Sequence, residues 1–364
     1  MKSFRLVQFA ALFVALALTA CGGGGGGSSS SAVVPVPVPV SSDWSKLGTP
    51  VWEGFVVAGD PSVVQEAGTY RLYYTAFIPS DGVSQERASI AVAVSGDGVA
   101  WSYAPLAPVA TDNPETIALD GDPNGWDSAL ETAEVIKVGN EYLMYYSGYR
   151  PGNNTVHEGA VISHAEIGLA RSTDGLTFTR QRTTPVLTRT PDGDDATAMF
   201  SPTVILSNGV YYMIYTGWCV ESTCGNRTGF RLLGATSSDG VNWTKRSVPV
   251  LDGVDLGLSF AAGVGESALV EGPDGLFYLF YSATGANPGD PNTIGVVRSS
   301  TPFGPWEVKT IPIIFPTEPF EGQETIAPAV LVEGDRARMW YMGVVGDFVD
   351  FSIGLAEADW PLSW

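Results

Sequence analysis

The sequence predicts an all-β protein, a five-bladed β-propeller with four antiparallel strands in each blade. Three observations predict it: one hairpin pattern recurs five times, further strands follow each recurrence, and the outer strand that the fifth repeat lacks is found near the N-terminus. Repetition of a unit that cannot bury its own apolar face is typical of propellers and solenoids. No helical periodicity of useful length competes with this interpretation.

The recurring hairpin aligns without gaps over twelve residues at five places. Each copy has a short apolar strand, a turn that contains glycine, and a strand in which aromatic and aliphatic residues alternate, which predicts a β-hairpin. The copies are VVQEAGTYRLYY from Val63, VIKVGNEYLMYY from Val135, VILSNGVYYMIY from Val204, VEGPDGLFYLFY from Val270 and VLVEGDRARMWY from Val330.

A third strand follows each hairpin, as in SIAVAVS at Ser89 and EIGLARS at Glu166. Four of the five continue into a turn and an aromatic residue, and three of those turns contain Asp-Gly, which suits a tight hairpin. The Ser-Asp-Gly turns resemble the Asp-box of sialidases with one residue fewer. We expect their role to be structural.

The fifth copy ends after its third strand. The segment WSK at 44–46 with PVW at 50–52 matches WTK at 243–245 with PVL at 249–251 at identical spacing. The N-terminal segment is therefore predicted to be the outer strand of the last blade, where it closes the ring. The propeller is predicted to be a single domain over residues 43–364.

The first 21 residues predict a lipoprotein signal peptide. Lys2 and Arg5 precede an apolar run over 9–18, which is too short to span a bilayer but suits the apolar region of a signal peptide. The following Leu-Thr-Ala-Cys resembles a lipobox, which implies that Cys21 carries the lipid. Residues 22–42 are rich in Gly and Ser and then alternate Val with Pro, so they predict a linker that is first flexible and then extended.

Gly22 after the lipidated cysteine resembles the outer-membrane sorting signal of Gram-negative bacteria. We therefore expect a lipid-anchored protein at the outer membrane or cell surface that contacts the membrane only through its lipid. An even remainder of two cysteines in an exported chain, Cys219 and Cys224, predicts a disulfide. The only histidines are His157 and His164, and without a paired C-x-x-C motif a Cys/His metal site is not expected.

The charge balance restricts the partners. The chain has 39 acidic against 19 basic side chains, a net charge of −20, which repels nucleic acid. Ten Trp and fourteen Tyr offer faces for stacking on neutral sugars. We expect a carbohydrate partner, no nucleic acid and a monomer.

The residues before each leading valine are predicted to line the mouth of the central channel, where the innermost strands begin. These stretches are 59–62, 131–134, 200–203, 266–269 and 326–329. They bring together the carboxyl groups of Asp60, Glu131, Glu134 and Glu266, and such crowding raises pKa values. Glycoside hydrolysis needs such a set, with one carboxylate as base or nucleophile and one carboxylic acid. Strict alternation places Glu131 and Glu134 on opposite faces, so at most one is expected to face the channel.

This pattern, with Asp60-Pro61 opening the first blade, resembles the five-bladed glycoside hydrolases of family 43 and, more distantly, family 32. The resemblance implies that Asp60 is the general base, or the nucleophile, and that Glu266, four residues before its valine, is the general acid. It implies no required cofactor and is compatible with a structural Ca²⁺ ion in the central channel, which has a histidine ligand in some relatives. The family 32 motifs are not matched beyond Asp60-Pro61.

The chain departs from family 43 at the third carboxylate. The family has an Asp before Pro in blade three that tunes the acid, and this chain has Ser201-Pro202 there. Glu134, Glu131 or Asp127 is a candidate auxiliary carboxylate in its place.

Three hypotheses follow. The first is an extracytoplasmic glycosidase that hydrolyses O-glycosidic bonds of polysaccharides or oligosaccharides. The second is a propeller without catalytic activity that binds glycans, which Ser201 favours. The third is a glycoside phosphorylase, which needs Arg, Lys or His around a phosphate, and the predicted mouth has none of them.

Overall fold

The structure is a computed structural model that describes residues 43–78, 87–157, 160–220, 229–287, 289–346 and 350–364. Cys21, the linker and Cys224 lie outside these residues, so the lipid anchor and the disulfide stay predictions. Cys219 is buried at the end of a strand. Among the described residues, no helix has both the length and the apolar character needed to cross a bilayer.

The described chain is almost entirely β-structure, and its main sheets are the five blades of a propeller. The N-terminal strand is β1 (Trp44–Lys46). Blade one contains β2 (Gly59–Glu66), β3 (Thr69–Ile78), β4 (Arg87–Ser95), β5 (Trp101–Tyr103) and the added β6 (Ile117–Leu119). Blade two contains β7 (Ala129–Val138), β8 (Glu141–Tyr149), β11 (Glu166–Ser172) and β12 (Thr179–Arg180), with β9 (Asn154–His157) and β10 (Ala160–Ser163) as a separate hairpin.

The last three blades follow the same order. Blade three contains β13 (Ala198–Ser207), β14 (Val210–Cys219), β15 (Gly229–Ser237) and β16 (Thr244–Lys245). A short helix, α1 (Gly253–Leu256), leads into blade four, which contains β17 (Gly263–Glu271), β18 (Phe277–Thr284), β19 (Thr293–Ser299) and β20 (Glu307–Val308). A 3₁₀ turn at Pro319–Glu321 precedes blade five, which contains β21 (Glu324–Glu333), β22 (Arg336–Val345) and β23 (Asp350–Asp359).

The N-terminal strand completes blade five, as the sequence predicts. The strand order of that sheet is β1-β23-β22-β21. Trp44 pairs with Ala358 and Lys46 with Ala356 in an antiparallel ladder. The predicted all-β fold with an N-terminal closing strand is confirmed.

The apolar core lies between successive blades rather than at the channel. The cluster between blades one and two, for example, packs Tyr73 and Ile90 against Met144 and Tyr146. Burial of such side chains stabilises the fold by roughly 1.5–3 kcal/mol each. Because the aliphatic and aromatic residues of the repeats are used in these interfaces, the polar residues at the strand starts are left to line the mouth.

The Asp-Gly turns lie on the outer hairpins. The carboxylate of Asp97 accepts hydrogen bonds from the backbone N–H groups of Val99 and Ala100, each at 2.8 Å. Asp174 and Asp239 make the equivalent bonds. These contacts close the turns, in keeping with a structural role.

Candidate active site

All five blades contribute to one open pocket at the mouth of the channel. Its lining residues are Asp60, Pro61, Thr132, Ala133, Glu134, Ser201, Pro202, Glu266, Ser267, Ala327 and Pro328. Every one of them lies in a stretch that the sequence predicts for the mouth. Three carboxyl groups, from blades one, two and four, therefore meet there.

Each innermost strand carries a β-bulge at this mouth. The register against the second strand shifts at the same place in all five blades. One residue with positive φ lies at each shift: Asp60 (49°), Thr132 (51°), Ser201 (48°), Glu266 (34°) and Ala327 (52°). Positive φ is uncommon in residues other than glycine. Because Ala327 adopts it too, the propeller geometry requires this bulge independently of any chemistry.

The position of Glu266 in its blade differs from the sequence alignment by one residue. Val63 of blade one pairs with Leu72, but the equivalent partner in blade four, Leu279, pairs with Leu269 and not with Val270. The gapless alignment misses this because the turn between Glu271 and Phe277 is longer than its counterparts. Glu266 is therefore equivalent to Asp60, three residues before the structural counterpart of the leading valine.

Asp60 is almost fully buried and lines the pocket. Thr75 Oγ1 donates a hydrogen bond to its Oδ2 at 2.8 Å, whereas its buried Oδ1 has no hydrogen-bond partner within the described part of the chain. Burial raises the pKa of Asp60 to about 7, and the bond from Thr75 opposes that rise. A carboxyl group in this state is half ionised near neutral pH and can act as a base.

Glu266 is half-buried at the opposite part of the same mouth. Ser282 Oγ donates to its Oε2 at 3.0 Å, and its own backbone N–H donates to Thr216 Oγ1 at 2.8 Å. Burial, followed by the negative charge of Asp60, raises the pKa of Glu266 to about 8. Ionisation of Asp60 therefore favours the protonated form of Glu266.

Glu134 and Glu131 flank the bulge of blade two. Glu134 lines the pocket and accepts a hydrogen bond from Ser62 Oγ at 3.1 Å, and burial raises its pKa to about 8. Glu131 is fully buried and accepts a hydrogen bond from Tyr149. Burial raises the pKa of Glu131 to about 8, with a further contribution from the charge of Asp60.

The strand register contradicts the expectation that Glu131 and Glu134 point to opposite faces, whereas the expectation that at most one of them faces the channel agrees with the pocket lining, which includes Glu134 and not Glu131. The register shift pairs them with Ser147 and Tyr145, which are two residues apart on β8. Residues opposite each other on paired strands share a face, so both carboxyl groups lie on one side of blade two. The extra residue of the bulge cancels the alternation that the sequence predicts.

Asp127 is held away from the pocket by an ion pair. Its Oδ2 accepts from Arg180 Nε at 2.7 Å and from the hydroxyl of Tyr146 at 2.8 Å. Asp195 in blade three has the equivalent partners, Lys245 and Tyr215. Asp127 is thus one copy of a repeated contact between a strand-two tyrosine, a loop carboxylate and an outer-strand cation.

Four buried hydroxyl groups next to the pocket residues were not expected from the sequence. Thr75, Ser147, Thr216 and Ser282 each follow the last tyrosine of an aligned repeat, and each contacts a bulge residue. In the fifth repeat this position is Met342. The signal was present one residue beyond the twelve aligned positions.

The lining of the pocket contains no Arg, Lys or His among the residues that the structure describes. His164 contacts Thr155 and Asn153, away from the lining. The described residues also hold no group of three or more His, Cys, Asp or Glu side chains arranged for a metal ion. The Ca²⁺ ion that the resemblance allows in the channel stays an expectation.

Solved structures match the chain over most of its length, although no family model and no curated protein matches its sequence. A thermostable family-43 glycoside hydrolase superposes with a TM-score of 0.60 at 21% identity, covering 84% of this chain and 89% of that one. A β-1,2-mannobiose phosphorylase from Listeria innocua superposes with a TM-score of 0.61 at 14% identity, covering 88% and 92%. The fold is that of five-bladed propeller glycoside hydrolases and phosphorylases.

A third structure belongs to the family-130 mannoside phosphorylases, a family described as containing glycoside hydrolases that target β-1,2-mannosidic linkages in Candida mannan. It superposes with a TM-score of 0.59 at 18% identity and covers 92% of this chain and 95% of that one. The predicted resemblance to five-bladed glycoside hydrolases is confirmed at the level of the fold. Function has to be argued from the pocket, because one fold supports many activities.

Proposed function

We propose that this protein is a glycosidase that hydrolyses O-glycosidic bonds of polysaccharides or oligosaccharides, with Asp60 as base and Glu266 as acid. One observation carries the proposal: two carboxyl groups from non-adjacent blades open into the same pocket on equivalent bulges, and burial raises the pKa of both, with the charge of Asp60 adding to the rise for Glu266. Pairs of carboxyl groups with separated pKa values are the usual basis of glycoside hydrolysis.

The reaction would divide between them as follows. Glu266, protonated near neutral pH, donates its proton to the glycosidic oxygen as the bond to the anomeric carbon breaks. Asp60, as the carboxylate, takes a proton from a water molecule that attacks that carbon from the other side. Water then supplies the hydroxyl of the new reducing end, and the leaving sugar carries the proton from Glu266.

Inversion of configuration is the outcome we expect. Blades one and four are not neighbours in a five-bladed ring, which favours the wider separation of about 6.5–9.5 Å that leaves room for a water molecule. If Asp60 acted as a nucleophile instead of a base, the configuration would be retained.

Glu134 fits the auxiliary role best of the three candidate carboxylates. It lines the pocket. Glu131 is fully buried and is repelled by the charge of Asp60, and Asp127 is paired with Arg180. Near neutral pH the raised pKa of Glu134 leaves it mostly protonated. It would then offer a hydrogen-bond donor to a sugar hydroxyl or to the attacking water.

Phosphorolysis is the less favoured reaction. A phosphate nucleophile needs cations, and the described lining has none while it brings three carboxyl groups together.

Glycan binding without catalysis is favoured by one observation, the serine at position 201 where family 43 has its third carboxylate. We also propose that the enzyme works outside the cytoplasm, anchored through Cys21, as the N-terminal sequence indicates.

A substrate screen with two variants tests the proposal. The protein without its first 40 residues is incubated with arabinan, xylan, levan, β-mannan and aryl glycosides, with and without phosphate. We expect hydrolysis without phosphate, a loss of at least 100-fold in kcat for Asp60→Asn and Glu266→Gln, and no loss for the control Glu307→Gln on the outer strand of blade four. Calorimetric binding with no hydrolysis would instead support a lectin, and strict dependence on phosphate a phosphorylase.

A further inference from the structure

Four of the five blades join the next blade through one hydroxyl group next to the pocket residues. The backbone N–H groups of Thr132, Ser201, Glu266 and Ala327, which are the positive-φ residues of blades two to five, are the donors. The acceptors are Thr75 Oγ1 (3.0 Å), Ser147 Oγ (3.1 Å), Thr216 Oγ1 (2.8 Å) and Ser282 Oγ (2.8 Å), each one blade earlier.

The series is interrupted where the ring closes. Blade five has the fully buried Met342 at the hydroxyl position, and the innermost strand of blade one passes it at Gly59. A Cβ atom at Gly59 would lie 3.0 Å from Met342 Sδ. At this closure, a thioether packed against a glycine stands where the other blades have a hydroxyl and a hydrogen bond.

Two of the four hydroxyl groups also contact a pocket carboxylate of their own blade. Thr75 Oγ1 donates to Asp60 Oδ2 at 2.8 Å, and Ser282 Oγ donates to Glu266 Oε2 at 3.0 Å. A hydroxyl has a single proton, and the incoming N–H occupies one of its acceptor sites. The N–H of the next blade therefore leaves the hydroxyl proton for the carboxylate. For Ser282 the backbone carbonyl of Glu266, at 3.3 Å, is a second and more distant acceptor than the carboxylate at 3.0 Å.

This arrangement distinguishes the two oxygens of each carboxyl group. In Asp60 the bond from Thr75 holds Oδ2, and in Glu266 the bond from Ser282 holds Oε2. The remaining oxygens, Oδ1 and Oε1, are then the ones available to take a proton from water and to carry a proton to the leaving group.

We propose that Thr75 and Ser282 are positioning residues, which fix the reacting oxygen of Asp60 and of Glu266 through hydrogen bonds anchored in the neighbouring blade. The inference rests on the proposed function of these two carboxyl groups. Ser147 is the natural comparison, because it joins blades two and three in the same way and contacts no pocket carboxylate in its own blade.

Other charged groups around the pair stay the same in every variant of the test. Glu131 and Tyr149 interact electrostatically with Asp60, and Glu324 with Glu266, in addition to the interaction between Asp60 and Glu266 themselves. The bonds from Thr75 and Ser282 each lower the pKa of the carboxyl group that accepts them. Removing either donor therefore moves the pKa of its carboxyl group upward.

The test compares Thr75→Val and Ser282→Ala with the rescue variants Thr75→Ser and Ser282→Thr and with the control Ser147→Ala. We expect kcat to fall about 10- to 100-fold with KM within about twofold. The pKa that describes the acid limb of the pH profile should increase by about one unit in Thr75→Val, and the pKa that describes the basic limb should increase by a similar amount in Ser282→Ala. The rescue variants should restore both, while Ser147→Ala should lower stability and leave the limbs in place.

Limbs that move as little in Thr75→Val and Ser282→Ala as in Ser147→Ala would overturn the inference, and so would rescue variants that restore nothing. Carboxyl titration by infrared or carbon NMR spectroscopy separates this failure from that of the proposed function, because it needs no substrate. If no glycan is hydrolysed, an upward shift for Asp60 in Thr75→Val still supports the positioning contact, and an unchanged titration refutes it.

Discussion

Lys46 Nζ lies 2.6 Å from Glu321 Oε2, and this ion pair joins the N-terminal strand to the last blade. Glu321 is fully buried and also accepts from the hydroxyl of Tyr341 at 2.6 Å. Lys245 and Asp195 form the same contact in blade three with Tyr215. The similarity between residues 44–46 and 243–245 therefore extends to a buried ion pair and not only to strand pairing.

Replacement of Lys46 by Met is expected to destabilise the protein by about 2–4 kcal/mol, because it leaves the buried Glu321 carboxylate without its cation. Chemical denaturation measures the change. Lys137→Met, which breaks a half-exposed pair with Glu66, is the control and should cost less than about 1 kcal/mol. Equal losses in the two variants would mean that Lys46 contributes no more than a surface charge.

Deletion of residues 43–52 is expected to abolish cooperative unfolding. Without β1, the long β23 becomes an exposed edge that can pair with other molecules. Deletion of residues 22–40 should leave the melting temperature unchanged, since that segment is predicted to be a linker. Calorimetry and light scattering on both truncations check this, and a soluble 43–52 deletion with unchanged melting would contradict it.

The sequence was sufficient for the propeller because its information is repeated. Five copies of one hairpin overcome the ambiguity of any single strand, and residues 44–46 could be matched to the similar segment 243–245. The expectations that were wrong concern the local register and orientation of single residues. The longer turn after Glu271 shifted the inner strand of blade four by one residue, and the bulge at Thr132 reversed the expected orientation of Glu134 relative to Glu131.

The hydroxyl positions show a further limit. Thr75 and Ser282 follow the aligned repeats directly, but a Ser or Thr at the end of a strand carries no signal of function by itself. Their role depends on which carboxyl group and which neighbouring N–H they meet, and that depends on the packing of two blades.

Glu131→Gln is expected to stabilise the protein above neutral pH. Burial raises the pKa of Glu131 to about 8, so the folded state binds more protons than the unfolded state between about pH 4.5 and 8. The stability of the wild type should therefore fall as pH rises through this window. Gln keeps the acceptor for Tyr149 and has no charge to bury, so the gain should be on the order of 5 kcal/mol at pH 9 and small at pH 5. A constant difference between the two pH values would contradict this assignment.

Cys219 and Cys224 are expected to form a disulfide in exported protein, since both would otherwise be thiols in an oxidising compartment. Mass spectrometry without reductant should find both cysteines blocked and linked in one peptide. A Cys224→Ser variant should contain one free thiol at Cys219. Two free thiols in protein isolated from the cell envelope would refute the pairing.

The pH dependence of hydrolysis is expected to be bell-shaped, with its maximum between about pH 7 and 8. Asp60 has to be ionised, which requires a pH above its pKa of about 7, and Glu266 has to be protonated, which requires a pH below its pKa of about 8. On either side, kcat/KM should fall about tenfold per pH unit. Glu266→Gln should remove the basic limb, and its residual activity should be highest on aryl glycosides whose leaving group needs no protonation. Measurements of kcat/KM from pH 5 to 10 on one aryl and one alkyl glycoside test both statements. A maximum near pH 5 would mean that the pocket does not raise the two pKa values, and equal losses of Glu266→Gln on both glycosides would remove Glu266 from the role of acid.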